Sequence, residues 1–307
     1  MSLPIPPCLP DGPFTLRTGE DLGLTRRQLY GRSVVIPFPG TRLRADGPVD
    51  LAARCRALAL TLSERAAFSH VTALRLQNVE VPWRLDRDDR VHVVVPSPVE
   101  RPQRRGVVGH VTSEGALVRL VGGLLVTTPA QTWRHLAGTL SVDELVVLGD
   151  AMTRRKHPAC ALDDLRPIAA GMHRRRGARR AAEALPLIRP GTDSSMETRT
   201  RLVLVRGGLP CPAVNEEQLL DSGEFLAMPD MAYPDLKVAI EYAGDVHRDP
   251  GVWRRDVERE ARLRDHEWEV VTVIADHVLR RPELLVARVR RAMHAQSVRL
   301  GVALPLA

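Results

Sequence analysis

Residues 228–248 read MPDMAYPDLKVAIEYAGDVHR, and this stretch decides the fold of the carboxyl-terminal third of the chain. One apolar run closes at Pro229-Asp230, and residues 236–242 form a second run with the length and composition of a buried strand. We expect the two neighbouring strands to bring Asp230 and Glu241 together at one end of a sheet. The sequence therefore predicts a pair of carboxylates beside each other.

The elements around this pair of strands follow the order α-β-β-β-α-β-α, which predicts an α/β domain over residues 191–300. Ser194 begins a capping-box pattern, and Gly207-Gly208 is a typical helix stop. The predicted elements are a helix over residues 197–206, strands over 214–221, 224–232 and 236–242, a helix over 253–265, a strand over 268–274 and a helix over 282–295.

This order resembles the core of the restriction-endonuclease-like superfamily, whose signature is Pro-Asp, a spacer, then Asp or Glu, any residue and Lys. Within it, residues 228–274 resemble the Vsr-like endonucleases of the very-short-patch-repair type. Ala243 departs from their pattern. It occupies the position that holds lysine in the superfamily signature and an acidic residue in the Vsr-like proteins. The residues that match are Asp230, Glu241, Gly244, His247, Asp256, Arg259 and Trp268.

The resemblance implies a metal-dependent catalytic site. Asp230 and Glu241 would hold Mg²⁺ or Mn²⁺, since hard divalent cations prefer carboxylate oxygens. Glu197 is either a third acidic residue of the site or only a helix cap, and both interpretations stay open. His247 is either a general acid or base or an ordinary loop histidine. Arg259 would contact nucleic acid, or simply pair with Asp256 three residues earlier on the same helix.

Residues 1–46 resemble a winged helix-turn-helix module. Gly23 can end one helix in the left-handed conformation, and Thr25 can cap the next helix. Residues 33–43 predict a short hairpin or wing, and the alternative is a small helical cap followed by a loop. The pattern predicts that Leu22, Leu24 and Leu29 are buried and that Arg26 and Arg27 face DNA.

Residues 47–171 predict a mixed α/β middle domain without an evident catalytic constellation. His70 is interpreted as a hydrogen-bonded structural residue near a helix start, and Asp150 as a surface or helix-end carboxylate. The stretches SHVTALRL at 69–76, VHVVVPS at 91–97 and VTTPAQTWRHLA at 126–137 resemble actinobacterial AbiEi-type antitoxins. This resemblance implies a transcriptional regulator of a toxin–antitoxin pair, with a cognate toxin as partner.

Positive charge is concentrated in residues 172–190, which we interpret as a basic linker. The chain has 44 Lys and Arg against 37 Asp and Glu, a net charge of +7, although a high-GC genome would also raise its arginine content. Clustered arginines neutralise phosphates without reading sequence, and the alternative is a solvated linker. The arginines assigned to nucleic-acid binding here are Arg174, Arg175, Arg176, Arg179 and Arg180.

Other classes of protein are disfavoured by composition. The chain has no run of about 20 apolar residues and no basic-then-apolar start, so we expect no membrane association and a cytoplasmic location. Its four cysteines lie far apart, which argues against a zinc knuckle or a disulfide framework.

Two hypotheses for function remain open at this point. In the first, the protein is a metal-dependent DNA endonuclease with an amino-terminal DNA-binding module. In the second, it is an AbiEi-type regulator whose nuclease fold is catalytically inactive. Ala243 favours the second, whereas Asp230, Glu241 and His247 favour the first.

Overall fold

A computed structural model describes residues 9–112, 115–244 and 250–305, with the backbone alone for residues 250–257. The chain divides into two units, one of residues 1–139 and 171–177 and the other of residues 140–170 and 178–307. Both units combine helices and strands, which confirms the mixed α/β multidomain class. The division does not follow the boundaries drawn from the sequence at residues 46, 171 and 190, because residues 140–170 join the carboxyl-terminal unit.

The first unit contains eight strands and six helices among its described residues. The strands are β1 (Phe14–Thr15), β2 (Val34–Val35), β3 (Thr41–Arg44), β4 (Ala67–Phe68), β5 (Val91–Val95), β6 (Val107–Val111), β7 (Val118–Val121) and β8 (Leu124–Thr127). The helices are α1 (Leu16–Asp21), α2 (Arg26–Leu29), α3 (Leu51–Ala59), α4 (His70–Leu76), α5 (Trp83–Asp86) and α6 (Pro129–Leu136).

The amino-terminal segment forms a three-stranded sheet of order β1-β3-β2 beside α1 and α2. Gly23 has a φ of 76°, the left-handed conformation expected at the end of α1. Thr25 caps α2 in a capping box with Gln28, so this local prediction is confirmed. The prediction for Leu22 is wrong, because half of its side chain is exposed while Leu24 and Leu29 are buried.

The predicted hairpin over residues 33–43 is present, with β2 antiparallel to β3. The strands pair Val34 with Arg44 and Val35 with Leu43. Pro37 and Pro39 lie in the connection between the strands, where the missing backbone N–H of proline breaks no ladder.

A five-stranded mixed sheet of order β6-β5-β4-β8-β7 forms the centre of the first unit. All five residues of β5 are buried, as expected for a strand covered on both faces. Phe68, Val93 and Val126 contribute to the main apolar cluster of this sheet. His92 is therefore a polar residue within a buried strand.

The second unit contains seven helices and six strands among its described residues. The helices are α7 (Val142–Met152), α8 (Leu162–Ala170), α9 (Ala178–Ala184), α10 (Ser195–Arg206), α11 (Pro250–Asp265), α12 (Ala275–Leu279) and α13 (Pro282–Leu300). The strands are β9 (Ala213–Val214), β10 (Gln218–Leu219), β11 (Phe225–Ala227), β12 (Met231–Tyr233), β13 (Val238–Tyr242) and β14 (Glu269–Val273).

A four-stranded sheet of order β14-β13-β12-β9 lies at the centre of this unit. Strand β13 is antiparallel to β12 and parallel to β14. Ile240 and Val273 pack with Leu204 of α10 and Val289 of α13 in one apolar cluster. The opening and closing helices therefore pack on the same face of the sheet, and Ala239 on the opposite face of β13 packs with Leu263 of α11.

Three of the predicted strands are shorter than the sequence pattern indicates, and the one expected over residues 214–221 is replaced by the two short strands β9 and β10. The strand expected over residues 224–232 separates into β11 and β12 at Met228-Pro229, and β11 pairs with β10. Because proline lacks a backbone N–H, it interrupts the ladder there. The strand expected from residue 236 begins at Val238, since Lys237 has a φ of 48° and lies in the left-handed region.

Helix α7 is joined to α10 by a buried ion pair. The Asp150 carboxylate accepts hydrogen bonds from Arg201 Nη2 at 2.7 Å, from Thr198 Oγ1 at 2.9 Å and from the backbone N of Arg189 at 2.8 Å. Neither Asp150 nor Arg201 is exposed by more than 1%. Asp150 lies in the last turn of α7, as the helix-end interpretation expected, but the interpretation as a surface carboxylate is wrong.

The basic segment expected to be a linker is largely structured. Helix α9 and a short 3-10 helix over Leu185–Leu187 occupy residues 178–187, and Met172, Ala181 and Ile188 are buried. Across the described part of the chain, no helix combines the length and apolarity required to cross a bilayer.

Candidate functional site

The hairpin formed by β12 and β13 brings Asp230 and Glu241 together. Its register pairs Met231 with Ile240, so the next position outward sets Asp230 opposite Glu241. The backbone N–H of Tyr242 donates to Asp230 Oδ2 at 2.8 Å. Asp230 precedes β12 and does not close a strand as expected from the sequence. This difference matters, because in an antiparallel pair the start of one strand faces the end of the next.

Burial and negative charge both act on Asp230. Burial and the nearby Glu197 carboxylate raise the pKa of Asp230 to about 6, against the opposing effects of the Tyr242 N–H and Arg259. Ionisation of Asp230 is consequently more costly than in water, and a bound cation would lower this cost. A perturbed carboxyl of this kind is typical of a functional site, although structural clusters can produce it as well.

Glu197 has a structural role that the geometry makes explicit. Its carboxylate accepts hydrogen bonds from the backbone N of Asp193 at 2.9 Å, from Ser194 Oγ at 2.8 Å and from Asn215 Nδ2 at 2.9 Å. The backbone N–H of Asn215 in turn donates to the carbonyl oxygen of Asp230 at 3.1 Å. Glu197 therefore supports the start of α10 and, through Asn215, the position of Asp230.

Arg259 pairs with Glu241 in this structure. Arg259 Nη2 donates to Glu241 Oε2 at 2.9 Å, and the Glu241 side chain is 13% exposed. The side chain of Asp256, the expected alternative partner of Arg259, lies outside the described part of the structure. His247, the expected general acid or base, lies entirely outside it. The cation on α11 thus partly balances the negative charge of the site.

The position of Ala243 shows which charged group the site lacks because this residue is neither acidic nor basic. The backbone N–H of Ala243 donates to the carbonyl oxygen of Val273 at 2.7 Å, so the pairing of β13 with β14 continues through it. Side chains two residues apart on a strand share a face. A carboxylate or ammonium group at position 243 would therefore lie beside Glu241.

Asp230 and Glu241 fit a hard divalent cation by the chemistry of their donor set. Two carboxylates from adjacent strands are the ligands that Mg²⁺ and Mn²⁺ prefer. Both oxygens of Glu197 are engaged in the hydrogen bonds described above, so Glu197 is better suited to support the site than to bind the ion.

Of the arginines expected to bind nucleic acid, Arg259 is partly buried and the others are exposed. Arg179 pairs with Glu183 at 2.9 Å, and Arg180 donates to the carbonyl oxygen of Leu140 at 3.2 Å. The division into units separates residues 174–176 from residues 179 and 180. The exposed arginines are Arg26 and Arg27 on α2, Arg174, Arg175 and Arg176 before α9, and Arg179 and Arg180 on α9.

A group of histidines in the first unit was missed by the sequence analysis. His70 begins α4, His92 lies on β5, His110 on β6 and His135 on α6. Potential ligand nitrogens of His70, His92 and His110 lie within 4.8 Å of one another. The only sequence signal is a histidine inside each of two apolar strands, VHVVV and VVGHV, and it has meaning only once these strands are known to be neighbours.

Burial keeps these imidazoles neutral near pH 7. It lowers the pKa of His110 and of His135 to about 4 each, and it also lowers the pKa values of His70 and His92. Neutral imidazole is the form that binds metal ions.

Comparisons with known proteins identify relatives but no described activity. No family model matches the chain. Two Mycobacterium tuberculosis proteins, named uncharacterized protein MT2308 and uncharacterized protein Rv2248, are each 31% identical over 243 residues, which is 79% of this chain and 86% of the relative. The crystal structure of the RV2827C protein from Mycobacterium tuberculosis has a TM-score of 0.37 and 19% identity, and covers 57% of this chain and 71% of that chain.

Proposed function

The chain belongs to the same family as these two Mycobacterium tuberculosis proteins, and we propose that it is a metal-dependent endonuclease that hydrolyses phosphodiester bonds in DNA. The observation that carries this proposal is the partly buried carboxylate pair of Asp230 and Glu241 on facing positions of one hairpin. Burial and Glu197 raise the pKa of Asp230 to about 6. A bound divalent cation would relieve this unfavourable charge.

In this proposal, Asp230 and Glu241 hold Mg²⁺ or Mn²⁺. When bound, the ion supplies a water of lowered pKa and neutralises negative charge that develops on the phosphate. The roles of the protein's own side chains follow from their contacts. Glu197 and Asn215 fix Asp230, and Arg259 orients Glu241 and supplies a fixed positive charge beside it. His247 is the proposed general acid or base.

DNA binding is proposed to involve the amino-terminal segment and the exposed arginines. The three-stranded sheet beside α1 and α2 supports a winged helix-turn-helix-like module, in which Arg26 and Arg27 face the DNA. Arginines 174–176, 179 and 180 would contact phosphates, which contribute affinity without sequence specificity.

A second candidate function is that of a DNA-binding regulator of AbiEi type, and two observations support it. Arg259 already pairs with Glu241, and Ala243 provides neither a carboxylate nor an ammonium group at the neighbouring position on β13. In this reading the carboxyl-terminal unit retains the fold without the reaction, and a cognate toxin is the proposed protein partner.

Plasmid cleavage separates the two candidates. We expect the protein to nick or linearise plasmid DNA with Mg²⁺ or Mn²⁺, and Asp230→Asn and Glu241→Gln to reduce the rate by at least about 100-fold, since a metal contributes several kcal/mol to the barrier. Asp235→Asn, an exposed carboxylate beside β12, is the matched control and should cleave normally.

The Ala243 variants test whether the site is otherwise assembled. Ala243→Asp restores the Vsr-like pattern and Ala243→Lys the superfamily pattern, and one of them should raise the rate on the order of tenfold, which is about 1.4 kcal/mol of barrier. DNA affinity, measured by fluorescence anisotropy, should change by no more than the one charge added or removed in each variant accounts for. If the natural protein and both variants bind plasmid but leave it intact with either ion, the regulator is the better description.

A further inference from the structure

Four histidines from four separate elements of the first unit meet at one place, and the proposed endonuclease activity uses none of them. We propose that His70, His92 and His110 form a binding site for a divalent transition-metal ion of the zinc class, separate from the carboxylate pair of the second unit. His135 borders this site, with its ring centroid 5.0 Å from that of His70.

The spacing of the ring nitrogens suits such an ion. His92 Nδ1 and His110 Nε2 lie 3.0 Å apart, and a nitrogen of His70 lies within 4.8 Å of both. Zinc binds imidazole nitrogen at about 2.0–2.1 Å, so two nitrogens at a tetrahedral ion are about 3.3 Å apart. A shift of a few tenths of an ångström would therefore place the His92 and His110 nitrogens at ligand distance.

The second nitrogen of two of these rings is already held by oxygen. His92 Nε2 lies 3.1 Å from Asp88 Oδ2, and Asp88 is itself fixed by Arg90 at 2.8 Å. His70 Nδ1 lies 3.0 Å from Ser69 Oγ. Metal-binding histidines typically have this outer partner, which sets the tautomer and orients the other nitrogen towards the ion. Here it leaves His92 Nδ1 and His70 Nε2 as the candidate ligand atoms.

Packing alone accounts poorly for this arrangement. His70 has a φ of 51°, a strained backbone conformation for a residue with a side chain. His135 Nδ1 is buried without a hydrogen-bond partner among the described residues. Buried polar atoms without partners are uncommon and costly, which favours an ion or its further ligand at this place.

The site is open enough for an ion to enter. A cavity of about 490 Å³ is lined by all four histidines together with Asp88, Arg90 and Arg176. Three protein ligands would leave a fourth position towards this cavity for water or an anion. The His70 and His110 rings are stacked with centroids 3.6 Å apart, so the His70 ring must turn about its soft χ2 torsion for both to share an ion, and its contact with Ser69 must adjust with it.

The choice of metal follows from the donors. Imidazole nitrogen suits Zn²⁺, Co²⁺, Ni²⁺ and Cu²⁺, whereas Mg²⁺ and Ca²⁺ require oxygen ligands. Excess Mg²⁺ therefore occupies the proposed carboxylate site without competing at the histidines. This difference makes the two proposals independently testable.

Zinc titration of the full chain by calorimetry, in excess Mg²⁺ and in a Glu241→Gln background, tests the site. The metal-free protein should bind one equivalent of Zn²⁺, and Co²⁺ should give the visible absorption of a nitrogen-liganded ion. His92→Ala and His110→Ala should abolish this binding, and Asp88→Asn should weaken it by roughly 10–100-fold, because His92 then lacks its outer partner. The matched controls are Asp89→Asn, an exposed neighbour of Asp88, and His294→Ala, an exposed histidine of the second unit.

A measurement on the natural sequence covers the case in which a histidine variant fails to fold. Diethyl pyrocarbonate acylates accessible imidazoles, and Zn²⁺ should protect His70 and His110 while leaving His294 reactive. Absence of stoichiometric Zn²⁺ binding overturns the proposal. So does equal protection of all these histidines, or unchanged affinity in folded His92→Ala and Asp88→Asn proteins.

Discussion

Replacing Asp150 by alanine should destabilise the second unit by about 3–5 kcal/mol, because the change leaves a buried guanidinium without its counter-charge. The Arg201 side chain is 1% exposed, so water does not solvate its charge there. Thr198 and the backbone N–H of Arg189 would also lose their acceptor. Burial raises the pKa of Asp150 despite the facing Arg201, which shows how costly an isolated charge would be in this interior.

The chain provides a matched control on the same two helices. Asp143 of α7 pairs with Arg206 of α10, but these side chains are 43% and 56% exposed. Asp143→Ala should cost no more than about 1 kcal/mol, since water screens exposed pairs. The double replacement Asp150→Leu with Arg201→Met should be much less damaging than Asp150→Ala alone, because it removes both charges.

Urea unfolding combined with hydrogen exchange measures these differences. Exchange should be resolved for the peptides of α7 and α10, because a chain of two units does not guarantee a single unfolding transition. If Asp150→Ala costs no more than Asp143→Ala, the buried pair does not hold α7 to α10 and the reasoning from burial is refuted.

Three further predictions concern charge and domain structure. The pKa of Asp230 is raised from 3.8 to about 6, so the folded state binds the extra proton and stability should fall as the pH rises through this window. Asp230→Asn should remove that dependence and stabilise the protein at pH 7 by up to ~3 kcal/mol in urea unfolding, whereas Asp235→Asn should not. Residues 140–307 should give a cooperative thermal transition by circular dichroism, but residues 190–307, which lack Asp150, should not. Replacing arginines 174–176 by alanine should make the slope of log DNA affinity against log salt concentration less steep, by roughly 0.9 for each phosphate that is no longer neutralised. An unchanged slope would show that these arginines belong to a solvated segment that does not contact DNA.

Local patterns in the sequence were sufficient for part of the fold. The cap at Thr25, the left-handed Gly23 and the opening of α10 depend on residues within a few positions of each other, and all three are present. The pairing of Asp230 with Glu241 also depends on one short hairpin. Its physical basis was misjudged, because the break at Pro229 places Asp230 before its strand.

Long-range contacts account for what the sequence pattern did not reveal. Asp150 and Arg201 are separated by 51 positions, and nothing near Asp150 distinguishes a buried carboxylate from an exposed one. The histidines are similarly dispersed, and their meeting depends on β5 and β6 being parallel neighbours. Neither the strand order nor the packing of α7 on α10 leaves a periodic signal in a single sequence.

The way the chain alternates between its two units has a consequence for biosynthesis. Residues 171–177 belong to the first unit, although the segments on both sides of them belong to the second. A ribosome releases a chain from its amino terminus, so the first unit remains incomplete until part of the second has already emerged. A gene fusion made at any single point before residue 177 would therefore transfer a first unit that lacks its final segment.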